Sequence, residues 1–130
     1  MLSIRSLSLA ALGLALGACS LGSGPGSDGS SPQISIDAPA ANATVAGQVP
    51  IDITATDDFG VDKVRVLIDG VLLVEMFTPP FHTIWNSQSV TNNTNHVIRV
   101  EALDVAKNLG TKEITVMVVN GVQAPPADPR

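Results

Sequence analysis

Apolar and polar residues alternate through the middle of the chain. Ile51, Ile53 and Ala55 are interleaved with Asp52, Thr54 and Thr56, and Val64, Val66 and Ile68 with Lys63 and Arg65. Ile98, Val100 and Ala102 alternate with Arg99 and Glu101, and Ile114, Val116 and Val118 with Glu113 and Thr115. A period of two sends successive side chains to opposite faces of a strand, one apolar and one wet. β-Branched residues dominate these segments, as a half-buried pleated surface favours. No stretch carries the 3.6-residue apolar period of an amphipathic helix.

Turn signals separate the alternating runs: Asp57-Asp-Phe-Gly60, Asp69-Gly70, Pro79-Pro80, Asn92-Asn-Thr-Asn95 and Lys107-Asn-Leu-Gly110. Asp69-Gly70 is the strongest hairpin signal, because a two-residue type I′ turn needs positive φ at both central residues. The pattern predicts about seven strands, near 33–37, 49–56, 62–68, 71–77, 81–86, 96–104 and 112–119. Short strands joined by short turns, each with one apolar face, close most simply as two packed sheets, an all-β sandwich.

Outside residues 33–120 the pattern changes. Met1–Ala18 has one charge, Arg5, followed by an apolar stretch from Leu7 to Leu16. Ten or so residues fall short of the roughly 20 that span a bilayer core, so the segment reads as a secretory signal. Its end, Leu16-Gly17-Ala18-Cys19, resembles the lipobox of bacterial lipoproteins. That resemblance implies cleavage between Ala18 and Cys19 and acylation of Cys19, with small residues at 17 and 18 to fit the peptidase. Ser20 rather than Asp follows the cysteine, which favours an outer membrane where one exists.

Residues 19–32 then form a linker in which all but Cys19, Leu21 and Asp28 are Ser, Gly or Pro, a composition that cannot bury a core. Residues 121–130 are a Pro-rich tail without a hydrophobic period. A chain of 130 residues organised in this way holds one domain.

Charge and composition remove several functions. Seven basic residues face twelve acidic ones, a formal net charge of -5, which disfavours nucleic acid because phosphate contacts need clustered Lys and Arg. One Trp, three Phe and no Tyr argue against base-stacking platforms. A single Cys excludes an intrachain disulfide and a thiolate zinc cluster.

The run Ile36-Asp-Ala-Pro39, Ala46-Gly47, Ile51–Val61 and Val64–Gly70, with Pro80-Phe81, Trp85-Asn86, His96, Ala102-Leu-Asp104 and Asn108, resembles bacterial immunoglobulin-like domains across residues 33–120. The resemblance implies an Ig-like or fibronectin-III-like sandwich of secreted and surface proteins, serving as a spacer, adhesion or accessory module. Two positions depart from the family pattern. Thr83 stands where an aromatic is common, and Lys107 where Gly is common, which costs about 1 kcal/mol if that position needs positive φ. Phe81 and Trp85 share a strand face and are read as the aromatic centre of the core.

The topology of such a sandwich puts the turns after the second and sixth predicted strands at one end. Asp57, Asp58 and Asp62 then approach Asp104 and Asn108. Carboxylates and an amide carbonyl are the hard oxygen ligands of calcium, and like charges packed together without a cation repel. The same residues also cap turns through their own backbone, and Lys63 and Lys107 stand ready to neutralise part of the cluster. No EF-hand loop is present. A bound calcium would be structural, and no cofactor is required.

Catalysis lacks its parts. His82 and His96 are the only imidazoles, no Gly-x-Ser-x-Gly elbow exists, and His96 falls in phase with Ile98 and Val100 as a core or edge histidine. Asn42-Ala-Thr44 and Asn92-Asn-Thr94 read as turn residues rather than glycosylation sites. Leu67, Leu103, Met117 and Val119 occupy outward alternation positions, either packing against neighbouring strands or forming a patch for a partner. The expectation is a non-catalytic lipoprotein of the cell envelope, held to the membrane by Cys19. Its Ig-like domain is a binding, adhesion or structural module with a protein or glycan partner. A carbohydrate-binding accessory of an extracellular enzyme system is the alternative.

Overall fold

The computed structural model describes residues 28–121, so the signal, the Ala18–Cys19 cleavage site and residues 122–130 lie outside the described residues. Eight strands follow in chain order: β1 (Gln33–Ala38), β2 (Thr44–Val45), β3 (Gln48–Thr56), β4 (Val61–Ile68), β5 (Val71–Met76), β6 (Phe81–Asn86), β7 (Thr94–Asp104) and β8 (Leu109–Val118). A 3-10 turn, Ser87–Ser89, follows β6. The strands form a three-stranded sheet ordered β1-β3-β6 and a five-stranded sheet ordered β2-β8-β7-β4-β5. All pairings are antiparallel except the short parallel one between β2 and β8.

The alternating positions meet between the sheets as expected. Val49, Ile51, Ile53, Phe81 and Trp85 from the smaller sheet face Val64, Val66, Ile68, Ile98, Val100, Ala102, Ile114, Val116 and Val118 from the larger one. Each Val, Ile or Phe removed from water in this way contributes about 1.5–3 kcal/mol. Trp85 is 2% exposed, so the aromatic pair is core and not a surface platform.

Three features differ from the pattern-based expectation. The two-residue β2 is an extra strand, too short to show any alternation. β8 begins at Leu109, inside the segment that reads as a turn, because Leu109 and Gly110 already pair with Leu103 and Ala102. Gly110 serves close approach: a side chain there would run into the backbone carbonyl of Pro32, which crosses it. The last residues of the expected linker, Asp28–Pro32, therefore lie against the sandwich, and the Asn108 side-chain amide donates to the Asp28 carbonyl at 3.0 Å.

The tight turns follow their sequence signals. Asp69 and Gly70 take φ of 50° and 87°, as the hairpin requires. Lys107 has φ 74°, so the departure from Gly at that position does place a side chain in the left-handed region.

On the outer face of the larger sheet, a charge ladder runs beside the outward apolar positions. Glu101, 8% exposed, accepts from Arg65 and from Arg99, and Arg99 also reaches Glu113 at 3.3 Å. Leu67, Leu103 and Met117 are half-buried beside this ladder, and only Val119 among the four is exposed.

Candidate functional site

Two regions gather polar or accessible groups, and they lie at different places on the sandwich. The first is the end where the chain enters at Asp28. The β3–β4 turn and the β7–β8 turn meet there, joined by the Val105 amide donating to the Gly60 carbonyl at 3.1 Å. Carboxylate oxygens of Asp28, Asp57 and Asp104 lie within 4.8 Å of one another. Asp104 is fully buried; its oxygens accept from the Asn108 backbone and side-chain N–H groups, both at 2.8 Å. Asp57 accepts from the Phe59 amide at 2.8 Å, the Asx-turn role open to it from sequence.

Of the five candidate ligands, the structure brings Asp57 and Asp104 together. Asn108 directs its amide N–H at Asp104 rather than a carbonyl at a shared centre. Asp62 is bound by Lys107 Nζ at 3.0 Å, while Lys63 pairs with Glu75 at 3.1 Å and takes no part. Asp58 instead lines a polar surface pocket of about 270 Å³ with Ser30, Ser31, Gln33, Thr56 and Asp57. Asp28 is the member that sequence reasoning missed. It sits in a Ser/Gly/Pro segment with no strand period, so nothing local placed it against the domain.

The electrostatics of the cluster are uneven. Burial would raise the Asp104 carboxyl, but the Asn108 side-chain and backbone donors hold it below the usual carboxylate range. Asp28 accepts from the Ser30 amide, which favours its charge; burial and the neighbouring Asp104 and Asp57 outweigh that bond and raise it. Its Oδ2 is buried and has no hydrogen-bond partner among the described residues. That oxygen can be satisfied by a proton or by a cation, the two agents that relieve like-charge crowding.

The second region is the open edge, where the last strand of each sheet comes side by side. β5 is an edge strand, and Val71, Leu72 and Leu73 on it are 70%, 53% and 37% exposed. They line an apolar groove of about 310 Å³ with Ile68, Trp85 and Val90, and Asp69 stands at its rim. An irregularity in the β4–β5 ladder between Val66 and Leu67 leaves Leu73 unpaired in a β-bulge.

His96 holds the rim of this groove in place. It is 6% exposed, with Nδ1 at 2.5 Å from Asp69 Oδ2 and Nε2 at 2.7 Å from the Thr91 carbonyl. Both ring nitrogens face acceptors, so the doubly protonated imidazolium is the form that satisfies both. Burial would lower its pKa, but the Asp69 and Thr91 hydrogen bonds and the Asp69 charge together raise it; Asp69 is lowered in return. With both nitrogens engaged, His96 is a structural staple between the β4–β5 hairpin and β7. His82, on the outer face of the smaller sheet, pairs with Asp52 at 2.5 Å, both about half exposed.

A sequence profile described as a bacterial Ig domain matches residues 32–100, more than half of the chain. No curated protein matches it. Among solved structures, the fibronectin(III)-like modules of Clostridium thermocellum CbhA superpose with a TM-score of 0.60 and 23% identity, covering 69% of this chain and 100% of that one. The endo-β-1,4-mannanase from Thermotoga petrophila gives 0.59 at 14% identity, covering 75% of this chain and 22% of the enzyme. The Bacteroides ovatus mixed-linkage glucan utilization locus protein SGBP-B, solved with a mixed-linkage heptasaccharide, gives 0.52 at 15% identity, covering 76% and 27%. At these identities the likeness is one of fold.

Proposed function

The chain belongs to the bacterial Ig domain family, and on that premise we propose that it is a non-catalytic, lipid-anchored module of the cell envelope. Acyl chains on Cys19 hold it to the outer membrane or cell surface, and the sandwich presents its open edge to a protein partner. The observation that carries this reading is the groove beside β5. An edge strand offers unpaired backbone N–H and C=O groups, and three exposed aliphatic residues next to them supply the side-chain contacts of β-strand addition.

Two variants test it. Cys19→Ala is expected to leave the membrane fraction; retention equal to the wild type refutes the anchor. Leu72→Lys, on the exposed edge, is expected to abolish co-purification of the envelope partner while leaving the melting temperature unchanged. Undiminished co-purification refutes the edge as the contact.

A second reading, a carbohydrate-binding accessory role, is supported by the polar pocket at Ser30, Ser31, Gln33, Thr56, Asp57 and Asp58, whose hydroxyl, amide and carboxylate groups suit sugar hydroxyls. The solved glycan-binding protein of the same fold lends it support. Retention on an insoluble glycan, lost in Asp58→Ala, is the expected result, and failure across several polymers refutes it. Alongside either role we propose that a calcium ion stiffens the entry end. Asp28, Asp57 and Asp104 offer the carboxylates, and the partnerless Asp28 Oδ2 is the oxygen it would satisfy.

A further inference from the structure

The entry end carries more than acid. Of the large apolar residues that stay exposed, Phe59 (50%) and Val105 (54%) sit on the two turns joined at Gly60, and Leu109 follows at the start of β8. Phe59, Val105 and Leu109 thus stand on or next to the same two turns that bring Asp57 and Asp104 together. None belongs to an alternating run that faces the core, so strand packing does not account for their exposure.

The length of chain between the anchor and the domain says what lies opposite this rim. Nine steps separate Cys19 from Asp28, a span of at most about 32 Å at 3.3–3.6 Å per residue. β7 alone, with 11 residues, runs about 33 Å over its ten steps at 3.3 Å each. Even fully extended, the tether is no longer than one strand of the sandwich it holds. Because Asp28 is fixed against Asn108 and Asp104, the entry end stays within that short radius of the lipid surface, and the Asp69-Gly70 hairpin end stands about one strand length further along the sandwich.

We infer that the entry end is a membrane-docking face: Phe59, Val105 and Leu109 touch the lipid surface in which Cys19 is anchored. This rests on the lipid-anchor reading above. Amphipathic contacts of this kind bury apolar side chains about 5–10 Å into the headgroup boundary and need no spanning segment. Docking there orients the module, turning the hairpin end of the β5 groove outward, where a partner meets it. Asp57, Asp58 and Asp62 on the same rim oppose an anionic surface, so the probe is a zwitterionic bilayer.

The test uses the full lipidated chain reconstituted into phosphatidylcholine vesicles with brominated acyl chains, which quench nearby indoles. Trp85 is buried and gives the background. Phe59→Trp is expected to lose emission in brominated relative to unbrominated vesicles. Leu72→Trp, at the exposed hairpin end of β5, is expected to lose none beyond the background. Thermal melts matching the wild type show that both variants fold. If the chain floats with the vesicles and Phe59→Trp is unquenched, or Leu72→Trp is quenched equally, the docking face is overturned and the anchor stands. If the chain does not float with the vesicles, the anchor fails and the inference falls with it.

Discussion

The two ends of this sandwich solve the same packing problem with different chemistry. At the end opposite the chain entry, the closing groups are neutral amides. Asn120 Oδ1 accepts from the Gly47 amide at 2.8 Å and from the buried Ser87 hydroxyl at 3.0 Å, and its Nδ2 donates to the Ser87 carbonyl. The Asn92 side chain holds the Asn120 backbone at both groups, its Oδ1 accepting from the Asn120 amide at 2.7 Å and its Nδ2 donating to the Asn120 carbonyl at 3.1 Å. A charged pair nearby, Asp69 with His96, is of opposite sign. At the entry end, three carboxylates of one sign converge and one buried oxygen has no partner. An amide clamp is complete within the chain. A carboxylate cluster is completed by something that comes from outside, a proton or a cation, and so makes that end responsive to conditions.

A large expected effect breaks the neutral end. Asn120→Ala strands the Gly47 N–H and takes a donor from the Ser87 carbonyl, while the Ser87 hydroxyl keeps the Gly47 carbonyl; an unsatisfied buried group costs about 1–3 kcal/mol. For a domain of this size each kcal/mol moves the melting midpoint by about 4–8 °C, so a drop of about 10 °C is expected by calorimetry. Calcium is expected to raise wild type and variant alike and to leave the difference between them unchanged, since its candidate ligands lie at the far end.

At the acidic end, calcium at about a hundred times its dissociation constant is expected to add about 2.7 kcal/mol of stability, reversed by chelator. A midpoint indifferent to calcium refutes the ion and leaves the proton as the agent that relieves the cluster. Gly110→Ala sharpens the same point. It forces Pro32 off β8 at a cost of about 1–3 kcal/mol, the usual range for overpacking. Because Asp28 precedes that contact, the variant is expected to lose the calcium response as well. A Gly110→Ala protein that keeps the full response would show that Asp28 is dispensable.

The smallest effect belongs to the His96–Asp69 staple. The raised folded pKa of His96 makes its contribution fully present below the ordinary 6.5 and lost as pH rises through the folded value. The lowered pKa of Asp69 makes its contribution present above 3.8 and lost as pH falls through its own folded value. The pair therefore stabilises most between about pH 4 and 6.5, by about 1 kcal/mol, since the Asp69 side chain is 42% exposed and screened by solvent. Asp69→Asn keeps a residue that tolerates the left-handed turn and is expected to flatten the fall in denaturant midpoint above pH 6.5. An unchanged slope would place that dependence elsewhere.

How far the molecule was legible in its residues varies from part to part. The β3, β4, β7 and β8 runs read cleanly because one buried face forces a period of two, and a shift of one residue would turn every core side chain outward. Phe81 and Trp85 read as core for the same reason. β2 did not, because two residues carry no period, and the start of β8 was hidden because Gly110 looks like a turn glycine while serving close approach to Pro32. At the candidate site, Asp57 and Asp104 were legible from the way this topology gathers its turns. Asp28 was not, and neither was the pairing of Asp62 with Lys107, which depends on where a long side chain finds its partner.

By itself, then, the sequence determined which faces are apolar, where the chain turns, that the Asp69-Gly70 hairpin is tight, and that the chain is an acidic all-β domain. These follow from neighbours along the chain, where backbone sterics and burial act residue by residue. Only the tertiary structure decided that Asp28 joins Asp104, that Glu101 is held between two arginines, that His96 is bonded at both nitrogens, and that β5 leaves a groove open beside it. Each of those depends on groups brought together from distant parts of the chain, and their energies exist only once the two sheets have packed.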